Sequence, residues 1–173
     1  MASRERRTAG TGGTGALPFF FFGTLCDADV LALVIGRRPD PSRSEPAWVA
    51  DHHALYVAGE NYPTLRPQPG ATVEGLLVRD LSEQEVARLC YYEGADYLLA
   101  ELSVRLVTGA AQRARAFLDR EPLQTAGAWR LAEWRAHTKA RHLRVVGAFM
   151  ARFEADADAE SIDRRWREAC GAL

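Results

Sequence analysis

Leu17-Pro18-Phe19-Phe20-Phe21-Phe22-Gly23-Thr24-Leu25 is the stretch on which the fold turns. Its apolar run, with four consecutive phenylalanines, reads as a buried strand, too short for a membrane span or a signal-peptide core. Gly23 breaks the strand, and Thr24-Leu25 leads towards Asp27. That Asp caps a short helix over about 28–35, which Gly36 closes. A strand, a glycine turn and a helix start bring successive N–H groups together, a cradle for a carboxylate or oxyanion. Many such turns bind nothing, so the turn alone identifies no site.

Working outward, residues 1–16 are polar, Gly/Thr-rich and without periodicity, and read as a flexible tail. Thr11-Gly12-Gly13-Thr14-Gly15 is no phosphate loop, because it lacks the following Lys-Ser/Thr and precedes a strand. After a loop over 39–46, alternation from Trp48 to Ala58 predicts a strand with Trp48, Ala50, His52, Ala54 and Tyr56 on one face. Residues 59–70, with three prolines, read as a long loop, and 72–78 as another strand. Residues 97–107 and 111–118 flank Thr108-Gly109-Ala110 as a hairpin. Beyond Pro122 the pattern turns helical. Trp129, Ala136, Ala140, Leu143, Val146 and Met150 predict one long or broken helix over 127–153, and 158–169 a shorter one. Strands and helices do not alternate regularly, which argues against a doubly wound parallel sheet. The pattern predicts an α+β fold: a mixed, barrel-like sheet with flanking helices, its core over 17–122 and a helical extension over 123–173 on the same domain.

Between the strands lies a well-marked helix. Ser82 and Glu85 have capping-box spacing, and Leu81 with Val86 suits a hydrophobic staple. Val86, Leu89 and Cys90 form its apolar stripe, and the next step on that stripe is Glu93, just before Gly94. A carboxylate on the inner face is costly unless paired, hydrogen-bonded or protonated. The negative helix end and apolar neighbours both predict a raised pKa for Glu93, as a general base working near neutrality requires. The segment alone fits an exposed Glu at a frayed helix end equally well.

Composition excludes several classes. Lys+Arg 22 against Asp+Glu 23 gives a net charge of −1, with no electrostatic case for nucleic acid or membrane binding. Cys26, Cys90 and Cys170 show neither metal-ligand spacing nor a disulfide framework, which predicts reduced thiols and a cytoplasmic protein. Cys26 reads as a small packed hydrophobe. His52 and His53 point to opposite faces of their strand. His137 and His142 are five apart, poor spacing for joint ligation, and read as solvated. Arg135, Lys139, Arg141, His142 and Arg144 read as a solvated helix face, and Trp129 and Trp134 as packing residues.

The ordered set of motifs is more specific than any one of them. Phe22-Gly23-Thr24-Leu25 resembles the Y-G-[ST]-L signature of the gamma-glutamylcyclotransferase-like superfamily. Tyr62-Pro63-Thr64-Leu65, Pro69-Gly70 and Val73-Glu74-Gly75-Leu76-Leu77 resemble its middle section, and Glu93-Gly94-Ala95-Asp96-Tyr97 its E-G-x-x-Y segment. The resemblance covers about residues 17–118. It implies a small mixed barrel with a cavity beside the glycine loop and Glu93 as catalytic acid/base. Phe22, Gly23, Thr24, Leu25 and Tyr97 would contact substrate, although a core role suits Tyr97 as well. The implied activity is cyclisation of a small-molecule gamma-glutamyl compound to 5-oxoproline with release of an amine or amino acid. No metal or organic cofactor is implied. The chain departs from the pattern in two places: Phe22 replaces the usual Tyr, and Leu99 stands where many relatives carry Arg. The helical extension lies outside the resemblance, and it covers the cavity, forms a homodimer or completes the core. The second functional reading is a non-catalytic small-molecule binding module on the same fold.

Overall fold

The computed structural model describes residues 16–172. The predicted tail therefore lies, but for Ala16, outside the described residues. Strand β1 (Phe19–Phe21) is buried along its whole length. It pairs antiparallel with β3 (Pro63–Val78), Phe19 against Val78 and Phe21 against Leu76. On its other side it pairs parallel with β5 (Ala111–Asp119) at Arg115. β5 forms the expected antiparallel hairpin with β4 (Tyr97–Leu106), and β4 pairs with β2 (Ser44–Val57). β2 then pairs back on β3, so five strands close in the order β3-β1-β5-β4-β2. Closure leaves the barrel without the unpaired edges of an open sheet. The short β6 (Thr125–Ala128) hangs on β2. Gly75 is required where β3 crosses β1, because a Cβ there would run into the Phe21 carbonyl oxygen and the Phe20 ring.

Two strands differ from their sequence reading. β3 begins at Pro63, so most of the expected proline loop is strand. Pro63 is its first residue, while Pro67 and Pro69 sit on an exposed irregular stretch where β2 and β3 slip register between Ala50 and His52. Missing N–H groups are tolerated at such places. The bulge centres on Asp51, which has φ 56° and whose Oδ1 accepts from the Gly70 N–H at 2.8 Å. An added residue flips the inward face. The buried residues of β2 are therefore Ala47 and Val49 before the bulge and Ala54 and Val57 after it, instead of one continuous face from Trp48 to Tyr56.

Helix α1 (Ala28–Ile35) ends on Gly36 at φ 83°. Arg88 of α2 (Glu83–Glu93) donates to the Leu33 and Val34 carbonyls at 3.0 and 2.6 Å, satisfying acceptors that the end of α1 leaves open. The expected 127–153 helix is interrupted. Residues 125–128 are β6, followed by α3 (Leu131–His137) and α4 (Lys139–Met150). Its buried face is Trp134, His142, Val145, Val146, Phe149 and Met150; Ala136 and Ala140 are exposed. Helix α5 (Ala159–Gly171) closes the described chain, capped by Asp158. Side chains from the barrel and from α3–α5 share one hydrophobic core. Among the described residues, no helix is long and apolar enough to cross a membrane.

Candidate active site

A cavity of about 120 Å³ opens at the exit of β1. Four segments build its wall: Phe20 to Leu25, Tyr62-Pro63, Tyr92 to Tyr97, and Ile162, Asp163 and Trp166 of α5, with Phe117 and Phe149 behind. Every site residue expected from sequence lines it: Phe22, Gly23, Thr24, Leu25, Glu93 and Tyr97. Leu99 does not line the cavity and is 38 % exposed.

The glycine turn is held by packing and by hydrogen bonds. Thr24–Cys26 form a single 3-10 turn, in which Cys26 N–H donates to the Gly23 carbonyl and Asp27 N–H to that of Thr24. Among the described residues, the N–H groups of Gly23, Thr24 and Leu25 are left free of backbone partners, as at any helix start. A Cβ on Gly23 would approach Pro63 Cγ to 2.9 Å, so only glycine lets the Tyr62-Pro63-Thr64-Leu65 segment close on the turn. That segment is pinned in turn. Thr64 Oγ1 donates to Asp119 Oδ1 at 2.9 Å, and Arg66 bonds Asp119 and the Leu123 carbonyl. Burial would raise the Asp119 pKa, but Thr64, the Leu123 N–H and Arg66 outweigh it and hold the carboxylate ionised.

Asp27 serves as more than a helix cap. It is 1 % exposed, accepts from Asp29 N–H, and pairs with Arg135 Nε at 2.8 Å and Lys139 Nζ at 3.0 Å. Burial opposes its charge, but Lys139 and Arg135 outweigh it and lower the pKa. Part of the basic stretch expected on a solvated face therefore clamps α3 and α4 to the residue that ends the turn. Cys26 donates its thiol to the Phe21 carbonyl at 3.1 Å, and burial pushes its pKa up to about 12. It is an inert, packed thiol.

Glu93 occupies the last turn of α2. The capping box at the other end forms as expected, with Ser82 N–H donating to Glu85 and Glu85 N–H to Ser82 Oγ. Gly94 ends the helix at φ 74°, ψ −167°, a region essentially reserved for glycine. That conformation turns the chain towards Asp96 and Tyr97 while Glu93 stays on the cavity side. The apolar stripe shifts slightly from its sequence reading: Leu89 is buried, but Cys90 is exposed. Glu93 is half-buried. Burial pushes its carboxyl up to about 8, in the direction expected.

Around Glu93 stand aromatic hydroxyls. Tyr97 packs edge-on to Tyr62 with ring centroids 6.4 Å apart, and among the described residues its own buried hydroxyl has no hydrogen-bond partner. Burial raises both phenols well above the ordinary range, with a further push from nearby acids including Glu93 and Asp96. Sequence reasoning missed Tyr62, Tyr92 and the α5 residues as cavity walls. Tyr62 and Tyr92 stood inside or next to the quoted motifs. For Ile162, Asp163 and Trp166 no local signal existed, because only the packing of α5 brings them to the barrel mouth. His142, expected in solvent, is buried against Trp134 and Trp166, and burial lowers its pKa to about 4.

A closed mixed barrel, a glycine turn at the end of its first strand and a cavity lined by the raised carboxyl of Glu93 define the class. The chain belongs to the gamma-glutamyl cyclotransferase, AIG2-like family, whose model matches residues 19–136. Among curated proteins it is similar to AIG2-like protein C of Arabidopsis thaliana, 25% identical over 130 residues, 73% of this chain and 74% of the relative. A solution structure from Arabidopsis thaliana matches with 20% identity and a TM-score of 0.57, covering 73% of this chain and 77% of that one. A solved gamma-glutamyl cyclotransferase matches with 15% identity and a TM-score of 0.53, covering 88% of this chain and 98% of that one. These two structural likenesses show the shared fold.

Proposed function

We propose that this chain cyclises a gamma-glutamyl compound to 5-oxoproline, with Glu93 as general acid/base. The observation that carries the reading is the Glu93 carboxyl itself, lining the cavity and pushed up to about 8 by burial. The substrate brings its own nucleophile. Its alpha-amine attacks the gamma-carbonyl, a C–N bond closes the five-membered lactam, and the gamma-amide C–N bond breaks. Glu93 takes a proton from the attacking amine and returns one to the leaving nitrogen. The free N–H groups of Gly23, Thr24 and Leu25 hold the anionic end of the substrate. The enclosed wall keeps the substrate bent, and orientation of this kind supplies roughly 7–11 kcal/mol of a barrier. Phe22, in place of Tyr, is buried and tilted against Phe20 at 6.5 Å, so it offers packing and no hydroxyl.

The test is a panel of gamma-glutamyl amines and gamma-glutamyl amino acids, with 5-oxoproline as the readout. The parent protein releases it from at least one member, and Glu93→Gln does not. Equal rates in the two proteins defeat the mechanism. Binding of a panel member without release by the parent favours a non-catalytic module on the same fold.

A further inference from the structure

A buried chain of hydrogen bonds runs from the glycine turn into the helical extension. Thr24 Oγ1 lies 3.0 Å from Tyr92 Oη, and Tyr92 Oη lies 3.0 Å from His142 Nε2. The three side chains come from the 3-10 turn, the last turn of α2 next to Glu93, and α4. His142 is 6 % exposed and set edge-on against Trp134, with ring centroids 5.2 Å apart. It lies beyond residues 19–136, the part matched by the family model.

Counting protons fixes what such a chain can do. Burial keeps the His142 ring neutral, so one ring nitrogen donates and the other accepts. Tyr92 and Thr24 contribute one hydroxyl proton each. With the proton on Nε2, His142 donates to Tyr92 and Tyr92 donates to Thr24, which leaves the Thr24 proton free for the cavity. With the proton on Nδ1, Tyr92 donates to His142, Thr24 donates to Tyr92, and the cavity receives only a lone pair. The anionic end of a gamma-glutamyl compound requires donors.

We infer that His142 is a positioning residue for the glycine turn, acting through Tyr92 to aim the Thr24 hydroxyl into the cavity as a hydrogen-bond donor to substrate. This rests on the cyclotransferase reading above. It gives a residue of the extension a role in substrate binding, and it fixes the His142 tautomer.

The experiment measures 5-oxoproline release by the parent, His142→Phe, His142→Gln, Thr24→Val and the Thr24→Val/His142→Phe double variant. Phe keeps a planar ring without a donor, and Gln returns an amide N–H near the place of Nε2. The expected result for His142→Phe is a KM raised about tenfold, as for loss of one hydrogen bond to a charged group, with kcat changed less than about twofold. Gln recovers most of the loss. Thr24→Val gives a similar rise, and the double variant is little worse than either single one. Thr24→Val leaves α4 untouched and carries the test if His142→Phe does not fold. Nitrogen-15 spectra of the histidine-labelled parent should show His142 protonated at Nε2. An unchanged KM, a Gln variant no better than Phe, additive single effects or a ring protonated at Nδ1 each overturn the inference. A parent that releases no 5-oxoproline sinks the cyclotransferase reading and this inference with it. An active parent with an indifferent His142→Phe sinks the positioning role alone.

Discussion

Two of the carboxylates of helix α2, Glu85 and Glu93, stand in opposite circumstances. Glu85 sits in the first turn, accepts from Ser82 N–H at 2.7 Å and has Arg37 Nε 2.5 Å from its Oε1. Burial would raise its pKa, but Ser82 and Arg37 outweigh that and hold the carboxylate below its usual range. Glu93 sits in the last turn, where burial meets no such compensation and pushes its pKa up to about 8. The helix dipole favours charge at the first site and disfavours it at the second. One helix thus holds a fixed structural anion at one end and a tunable proton carrier at the other. Environments that separate the pKa values of like groups mark their different roles.

The largest expected difference is kinetic. Glu93→Gln lowers kcat by about a thousandfold, the scale of a lost general acid/base, when 5-oxoproline release is assayed. Glu85→Ala leaves kcat/KM within about twofold of the parent, which separates the two ends of α2 by function.

The two acids also bend stability against pH in opposite senses. Between the ordinary Glu value of about 4.3 and about 8, the unfolded chain is ionised at position 93 while the folded chain keeps the proton. Stability from this group falls as pH rises through that window. Glu93→Gln removes the penalty, on the order of 2 kcal/mol at pH 9 after screening by solvent in the cavity. Thermal melts of the variant and parent should diverge above pH 5 and converge below pH 4. Glu85 does the reverse: its contribution is present above the ordinary value and is lost as pH falls through its depressed pKa.

A smaller effect tests how the helix end is placed. Gly94→Ala forces a side chain into φ 74°, ψ −167°, a cost of about 1–2 kcal/mol, and should reduce kcat by moving Glu93. The smallest effect is structural. Glu85→Ala loses the reciprocal half of the capping box and the Arg37 pair, about 1 kcal/mol in a urea melt.

The same contrast explains what the sequence could disclose. Local chemistry was legible. The α1 bounds, the capping box on α2, the stop at Gly94 and the β4–β5 hairpin follow from residues within a turn or two of each other. The barrel and the cavity-lining set from Phe22 to Leu25, Glu93 and Tyr97 followed from motif order. Long-range pairing was not legible. The prolines of β3 looked like a loop because the slip at Asp51, which tolerates them, depends on a partner strand. His142 looked solvated because Tyr92 and Trp166 reach it only after α4 and α5 pack. Arg135 is exposed as expected, but its pairing and that of Lys139 were not legible because Asp27, their anion, lies over 100 residues away in sequence.

The most direct test is a carbon-13 titration of the Glu93 side-chain carboxyl in the parent protein, assigned with Glu93→Gln. A midpoint near pH 8, with Glu85 titrating below the usual range, is the predicted result. A Glu93 midpoint in the ordinary carboxylate range, near 4, would contradict the account, because no proton carrier tuned to neutrality would then stand in the cavity.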